Sequence, residues 1–288
     1  GNIYFGTGNP APWPEFATPP DAGPRPGPNL YSSSMVSLDP QTGALRWYVQ
    51  AIPHDTFDHD FQLTPVLATV EIGGAPVPLA IGAGKAGLVI AANAETGEEV
   101  WRVLVGEHTP FGSGAMLPTP GATPVVVAPG PLGGVESPIA YQDGVVYAPV
   151  VNLPFTYTDS SQTFDLMAAR GAMVALDARD GSLRWQTPVP ALFVGGATVA
   201  NDLVFGAGLD GLTRAFATAT GKEVWQFRTG VGVNAPLAIA GDLLLIPAGG
   251  PLLGPAPAAS DPASPTPPAQ GALIALRPGG GVGATPVR

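Results

Sequence analysis

Short runs of hydrophobic and small residues recur along this chain, and turn-forming residues separate them. Representative runs begin at Pro65, Leu79, Val145 and Ala238. Their alternation and their length are typical of β-strands that bury one face. No run keeps the 3.6-residue period of an amphipathic helix over about ten positions. The pattern therefore predicts an all-β fold.

One hairpin pattern occurs four times in the chain. In each copy a β-rich run leads into a turn that contains Gly, and the return run reaches a Trp four positions after that Gly. Because Gly adopts positive φ at little steric cost, it favours a tight hairpin turn at this point. A weaker fifth copy begins at Leu273. The four pairs are Gly43 and Trp47, Gly97 and Trp101, Gly181 and Trp185, and Gly221 and Trp225.

Hairpin repeats at intervals of about 40–50 residues are typical of β-propeller blades. We therefore predict a single, partial β-propeller domain over residues 1–288, with five or six blades and with the Trp side chains used in packing. Residues 10–28, 109–134 and 251–271 are rich in Pro, Gly, Ala or Ser and are interpreted as inserted loops. An incomplete ring exposes strand edges, so we expect further blades from sequence outside this chain. The chain opens on a strand-like run with no signal peptide, which favours a processed chain or a piece of a longer protein.

Composition narrows the classes of function. The chain has a net charge of −10 and no basic run, which argues against nucleic acid or anionic membrane as partners. The absence of Cys excludes thiol catalysis, disulfides and cysteine-ligated zinc within this chain. No apolar stretch approaches the ~18 residues of a membrane span, so none is expected.

Histidine and lysine are rare, and their positions suggest chemistry. Two of the three His, His54 and His59, lie in the segment Pro-His-Asp-Thr-Phe-Asp-His-Asp that ends at Asp60. Of the two Lys, Lys222 lies in a repeat turn, where an exposed charge is ordinary. Lys85 lies in a run of small and apolar residues, so its ammonium should be partly buried and should need an acceptor.

Three motifs together resemble a known family. They are Gly-Thr-Gly-Asn-Pro-Ala-Pro-Trp around Asn9, Pro-His-Asp-Thr-Phe-Asp ending at Asp58, and Gly-Ala-Gly-Lys-Ala-Gly around Lys85. In this order, and with strand-like runs between them, they are similar to motifs of the quinoprotein alcohol and methanol dehydrogenases. These enzymes use pyrroloquinoline quinone (PQQ). The resemblance corresponds to the C-terminal part of an eight-bladed propeller.

The resemblance implies a metal site. Asn9, Asp58 and Asp60 would bind Ca²⁺ or a lanthanide ion, and Asp58 would also be the general base that takes the proton of an alcohol or sugar-type hydroxyl. Asp60, two positions from Asp58, is expected on the same face of a strand. By themselves, Asn9 is an ordinary turn residue before Pro, and the two Asp are an ordinary solvated turn.

The resemblance also implies PQQ contacts. Lys85 would contact the quinone oxygens, and Asn234 lies in a Gly-Val-Gly-Val-Asn-Ala-Pro loop similar to one near the cofactor. Glu136 and Ser137 stand where the family has Asn and Trp, so Glu136 is either a cofactor contact or an exposed loop acid. Phe57 replaces a Trp of the family motif.

The sequence leaves three functions open. The leading hypothesis is a periplasmic or secreted dehydrogenase that passes electrons to a separate acceptor such as a cytochrome, because the haem-binding Cys-x-x-Cys-His motif is absent. The alternatives are a non-catalytic propeller used as a binding or assembly scaffold, and an incomplete gene product without activity. Retention of Asn9, Asp58 and Lys85 together favours the enzyme, because a scaffold does not need them.

Overall fold

The computed structural model describes residues 1–11, 25–109, 123–158, 161–253 and 271–279. These residues form 21 strands in six sheets. The predicted all-β class is confirmed, since the helical structure of the described residues is one 3-10 turn at Leu166–Ala168. Within the described ranges, no helix is long and apolar enough to cross a membrane.

The chain divides into two compact units. The first contains Gly1–Glu136, Asn152–Asp165 and Asp177–Ser182, and the second contains Ser137–Val151, Leu166–Leu176 and Leu183–Arg288.

The first unit contains three antiparallel sheets. Two of them follow the chain order of their strands, and the third joins strands that are distant in sequence. The sheets consist of β1 (Ile3–Gly6), β2 (Ser34–Leu38) and β3 (Leu45–Gln50); of β4 (Val66–Ile72), β5 (Ala75–Ala83), β6 (Leu88–Asn93) and β7 (Glu99–Leu104); and of β8 (Val125–Val127), β11 (Phe155–Tyr157) and β12 (Gln162–Thr163).

The second unit also contains three antiparallel sheets. Apart from the terminal residues Asn152 and Asp177, all of their strands belong to this unit. The sheets consist of β9 (Ala140–Gln142), β10 (Val145–Asn152), β13 (Arg170–Asp177) and β14 (Leu183–Val189); of β15 (Thr198–Ala200), β16 (Leu203–Ala207), β17 (Leu212–Ala217) and β18 (Glu223–Arg228); and of β19 (Ala238–Ala240), β20 (Leu243–Ala248) and β21 (Ala272–Leu276).

The four predicted repeats form four hairpins with the same geometry: β2–β3, β6–β7, β13–β14 and β17–β18. The turn Gly has φ between 71° and 77° in every copy, so it occupies the left-handed region that favours Gly. Its N–H donates to the carbonyl four positions earlier, as from Gly43 to Asp39 and from Gly97 to Asn93. Each hairpin also has a register shift at the same place, shortly before its turn. The repeat in the sequence is therefore a repeat in backbone structure.

The repeat Trp residues pack as predicted in three of the four copies. Each of the three indoles donates from Nε1 to a carbonyl in the turn of the next repeat. The bonds run from Trp47 to Ala94 (3.1 Å), from Trp101 to Ala178 (2.9 Å), and from Trp185 to Thr218 (2.7 Å). Buried indole N–H groups normally need such a partner.

Trp225, in the fourth repeat, is more exposed. Its indole is 37% accessible, stacks on Phe227 with ring centroids 6.1 Å apart, and meets the edge of Phe205. The fifth copy supplies β21, which pairs with β20, and the residues that follow position 279 lie outside the described ranges.

The predicted loops fall largely outside the described ranges. Residues 12–24, 110–122 and 254–270 are not described. In the interval 109–134 the described part contains β8, which pairs with β11.

Candidate functional site

The segment from His54 to Asp60 is a loop, and Asp55 determines its shape. The buried Asp55 carboxylate accepts the backbone N–H of Phe57 at 2.9 Å and that of His59 at 2.7 Å. Asp55 therefore caps the loop and fixes its backbone. Asp58 has φ of 61°, which no strand residue adopts. The prediction that Asp58 and Asp60 share a strand face is therefore wrong, although their carboxylates do meet.

Lys85 lies in the tight connection between β5 and β6, next to the Asp58 loop. Its backbone N–H donates to the Asp60 carbonyl at 2.9 Å. A Cβ added at Gly84 would lie only 2.3 Å from that carbonyl oxygen, so this close approach requires Gly. Backbone packing thus brings two motifs together that are 25 positions apart in the sequence.

The Lys85 ammonium forms ion pairs with two carboxylates. Nζ lies 3.0 Å from Asp58 Oδ2 and 2.6 Å from Asp60 Oδ2. The three side chains are 13–18% accessible. The predicted acceptor of the partly buried lysine is therefore this pair of aspartates.

Burial and the ion pairs have opposite effects on the pKa values of Asp58 and Lys85. Burial raises the pKa of Asp58 above its ordinary value, because desolvation outweighs the hydrogen bond from Lys85. Burial would lower the pKa of Lys85, but the hydrogen bonds to Asp60 and Asp58 outweigh it and the pKa is raised. Lys85 is therefore firmly charged at neutral pH, while Asp58 is a better proton acceptor than an exposed aspartate.

Asn9 contacts the cluster formed by Asp58, Asp60 and Lys85 through its backbone. Its N–H donates to Asp60 Oδ1, and a Cβ added at the preceding Gly8 would lie 3.2 Å from the same oxygen. The Asn9 side-chain Nδ2 donates to the Pro10 carbonyl at 3.3 Å. The structure thus places Asn9 beside Asp60, and its predicted role as a metal ligand stays a prediction.

Glu136 lies against the same cluster. Gly134 has φ of 71° and packs on the Lys85 backbone, and the Val135 N–H donates to the Gly84 carbonyl at 3.0 Å. Glu136 Oε1 is buried, with no hydrogen-bond partner among the described residues. Burial raises the pKa of Glu136 to about 7; the charge of Lys85 opposes this change, and Asp60 and Asp58 add to it. The buried environment favours the reading of Glu136 as a site residue over that of an exposed loop acid.

Asn234 is the one predicted site residue that lies outside the first unit. It belongs to the second unit, where it is solvent-exposed, and its predicted contact with a cofactor stays a prediction. His59 is buried, and its Nε2 lies 2.8 Å from the Pro129 carbonyl oxygen.

Tyr157 is a neighbour of the site that sequence reasoning missed. Its ring lies 5.5 Å from that of Phe57, and its buried Oη has no hydrogen-bond partner among the described residues. Burial raises its pKa, and the charges of Asp58 and Asp55 raise it further. Its strand, β11, is three residues long, so no sequence period marks it.

Comparison with known proteins assigns the family. Residues 1–112 match the family described as "Glucose/ethanol/alcohol dehydrogenase, beta-propeller domain", and residues 85–278 match the one described as "Outer membrane protein assembly factor BamB". The quinoprotein alcohol dehydrogenase PedH of Pseudomonas putida is 30% identical over 266 residues, which are 80% of this chain and 44% of that protein. The chain belongs to the quinoprotein alcohol dehydrogenase-like β-propeller family.

A further relative and a solved structure are also similar to this chain. The lanthanide-dependent methanol dehydrogenase of Methylorubrum extorquens is 27% identical over 272 residues, 80% of this chain and 44% of that protein. The structure of a quinohemoprotein alcohol dehydrogenase, ADHIIG, from Pseudomonas putida HK5 is similar with a TM-score of 0.72 at 22% identity, over 87% of this chain and 43% of that one. The predicted partial β-propeller is confirmed by this likeness. The quinoprotein-like chain spans less than half the length of these relatives.

The donor set of the quinoprotein-like site fits a hard cation. The two carboxylates of Asp58 and Asp60 and the nearby amide of Asn9 contain oxygen donors of the type that hard cations such as Ca²⁺ prefer. Among the described residues, however, no group of three or more His, Asp or Glu is arranged to hold a metal ion. The cation that two of the predicted ligands hold is the Lys85 ammonium.

Proposed function

We propose that this chain is part of a PQQ-dependent dehydrogenase that oxidises an alcohol or a sugar-type hydroxyl with the help of a bound Ca²⁺ or lanthanide ion. The observation that carries the proposal is the convergence of Asp58, Asp60 and Lys85 from two distant motifs into one ion-paired cluster. The names of the curated relatives give the reaction class. A propeller without catalytic activity has no need for partly buried ion pairs between Lys85 and the two aspartates.

Asp58 is the proposed general base. Desolvation raises its pKa, which makes its carboxylate a stronger proton acceptor, and a positioned base of this kind accelerates a reaction by about 10²–10⁴-fold. The proton of the substrate hydroxyl is taken up by a carboxylate oxygen of Asp58. Lys85 remains charged and can stabilise negative charge on an oxygen placed beside it.

Asn9, Asp58 and Asp60 are the residues that would hold the cation, since they supply oxygen donors. When bound, PQQ supplies the hydride acceptor and the cation polarises its carbonyl. Lys85 and Glu136 are the residues of the first unit that would contact the cofactor.

The proposal extends to the setting of the enzyme. Electrons would pass to a separate acceptor such as a cytochrome, and the protein would act in the periplasm or outside the cell. Fractionation of the producing cell tests the location, and recovery of the protein in the cytoplasm alone would contradict it.

The direct test uses the intact gene product with PQQ and either CaCl₂ or LaCl₃. We expect a shift in the PQQ absorbance on binding, and alcohol-dependent reduction of an artificial electron-accepting dye. Failure to bind PQQ with both metal ions would overturn the proposal.

A second candidate function rests on a specific observation. The match of residues 85–278 to the family described for the outer membrane assembly factor BamB favours a non-catalytic assembly scaffold. That match leaves out the segment with Asn9, Asp58 and Asp60. A protein that binds neither PQQ nor metal but retains its fold would favour the scaffold.

A further inference from the structure

In this structure Lys85 occupies the position between two carboxylates that the proposed function assigns to a metal ion. Nζ lies within 3.0 Å of Asp58 Oδ2 and within 2.6 Å of Asp60 Oδ2. Two partly buried carboxylates this close to one point repel each other unless a cation lies between them. The ammonium meets that need, since it offers three donors and a full charge.

A metal ion bound between Asp58 and Asp60 would compete with the Lys85 ammonium for the Oδ2 atoms of both carboxylates. Ca²⁺ collects six to eight oxygen ligands, typically at about 2.3–2.6 Å, so it would draw on the carboxylate oxygens that now face Nζ. The other oxygen of Asp60, Oδ1, already accepts the backbone N–H of Asn9.

We infer that Lys85 is the counter-cation of Asp58 and Asp60 and that a bound metal ion displaces it from these two carboxylates. The inference rests on the proposed function and adds an order of events to it. Displacement releases the ammonium for the cofactor, so metal binding and cofactor binding favour each other. By linkage, each then strengthens the other by the same factor.

The structure also offers the displaced ammonium an acceptor. Glu136 follows Gly134 by two positions, the backbone of Gly134 packs on that of Lys85, and the buried Glu136 Oε1 has no hydrogen-bond partner among the described residues. The lysine side chain is a flexible four-carbon stem, so Nζ can change partners while the Lys85 backbone stays bonded to Asp60.

Lysine acylation tests the exchange without any variant, because the chain has only Lys85 and Lys222. The intact protein, without PQQ, is treated with an amine-acylating reagent with and without LaCl₃, and each lysine is followed by peptide mass spectrometry. We expect LaCl₃ to raise the acylation rate of Lys85 at least tenfold and to leave the exposed Lys222 unchanged.

Calorimetric titration with LaCl₃ provides the second measurement. We expect Lys85→Met to bind La³⁺ at least tenfold more tightly than the wild type, and Lys222→Met to bind it equally. La³⁺ binding with no rise in Lys85 acylation would overturn the exchange and leave the proposed metal site standing. Absence of La³⁺ binding in the wild type and in both variants would remove the exchange and the proposed metal site together.

Discussion

The indole of Trp47 lies directly on Gly97, the turn glycine of the following repeat. A Cβ added at Gly97 would be 2.6 Å from the Trp47 ring, closer than any relaxed contact. Trp101 over Gly181, and Trp185 over Gly221, repeat the arrangement with gaps of 2.8 Å and 2.5 Å. The glycine of each turn is therefore needed both for its backbone conformation and for the ring that covers it.

A comparison of Gly97→Ala with Gly43→Ala separates the cost of the backbone conformation from the cost of the contact with the Trp ring. Both glycines have φ above 70°, but a Cβ at Gly43 meets no described atom within 4 Å. We expect Gly43→Ala to lower the free energy of unfolding by about 1–2 kcal/mol, the cost of the backbone conformation alone. Gly97→Ala should cost about 1–3 kcal/mol more, because the ring must shift. Chemical denaturation of the two variants measures the difference, and equal losses would contradict the ring contact.

Sequence reasoning recovers this part of the fold because the signal is local. The Gly-to-Trp spacing lies within one hairpin, so it predicts turn, strands and repeat without any distant contact. The small sheet of β8, β11 and β12 was not predicted, because two- or three-residue strands carry no period and its partners are about 30 positions apart.

A second prediction concerns the Trp residues themselves. Trp101 is buried and bonded to the Ala178 carbonyl, whereas Trp225 is 37% accessible. We expect Trp101→Ala to lower the free energy of unfolding by about 3–5 kcal/mol. Trp225→Ala should cost about 1 kcal/mol, since much of that ring already contacts solvent. Thermal unfolding checks the order, and a larger loss in Trp225→Ala would show that the exposed ring is covered in solution.

The sequence predicted which residues form the candidate site better than it predicted how they are arranged. The rarity of lysine in an apolar run indicated that Lys85 needs a buried acceptor, and the motif resemblance selected Asp58 and Asp60. The strand assumed for those aspartates was wrong, because the positive φ of Asp58 follows from a loop capped by Asp55. The burial of Glu136 was not predictable either, since it depends on Gly134 packing against a turn about 50 positions earlier.

The third prediction tests the base. Because Asp58→Asn keeps the shape of the side chain but cannot accept the hydroxyl proton, we expect turnover of the intact, PQQ-loaded protein to fall at least about 100-fold. The unfolding midpoint should change little in comparison. Dye-linked assays measure the turnover, with Glu71→Gln, an exposed carboxyl of β4, as the matched control. Wild-type turnover in Asp58→Asn would remove this residue from the mechanism.

The last prediction follows from the pKa of Glu136. In the unfolded chain this carboxyl titrates near 4.5, whereas burial raises its pKa in the folded protein to about 7. Between these values the folded protein binds more protons than the unfolded chain, so its stability falls as the pH rises. The loss corresponds to at most about 3 kcal/mol, since one pKa unit equals about 1.4 kcal/mol.

Glu136→Gln stays neutral at every pH and should escape that loss. Relative to the wild type, we expect the variant to gain stability when the pH is raised from 5 to 8, as measured by chemical denaturation at both values. Glu98→Gln, at an exposed turn position, controls for the removal of one carboxyl. A stability difference between Glu136→Gln and the wild type that does not change with pH would mean that Glu136 is solvated in solution.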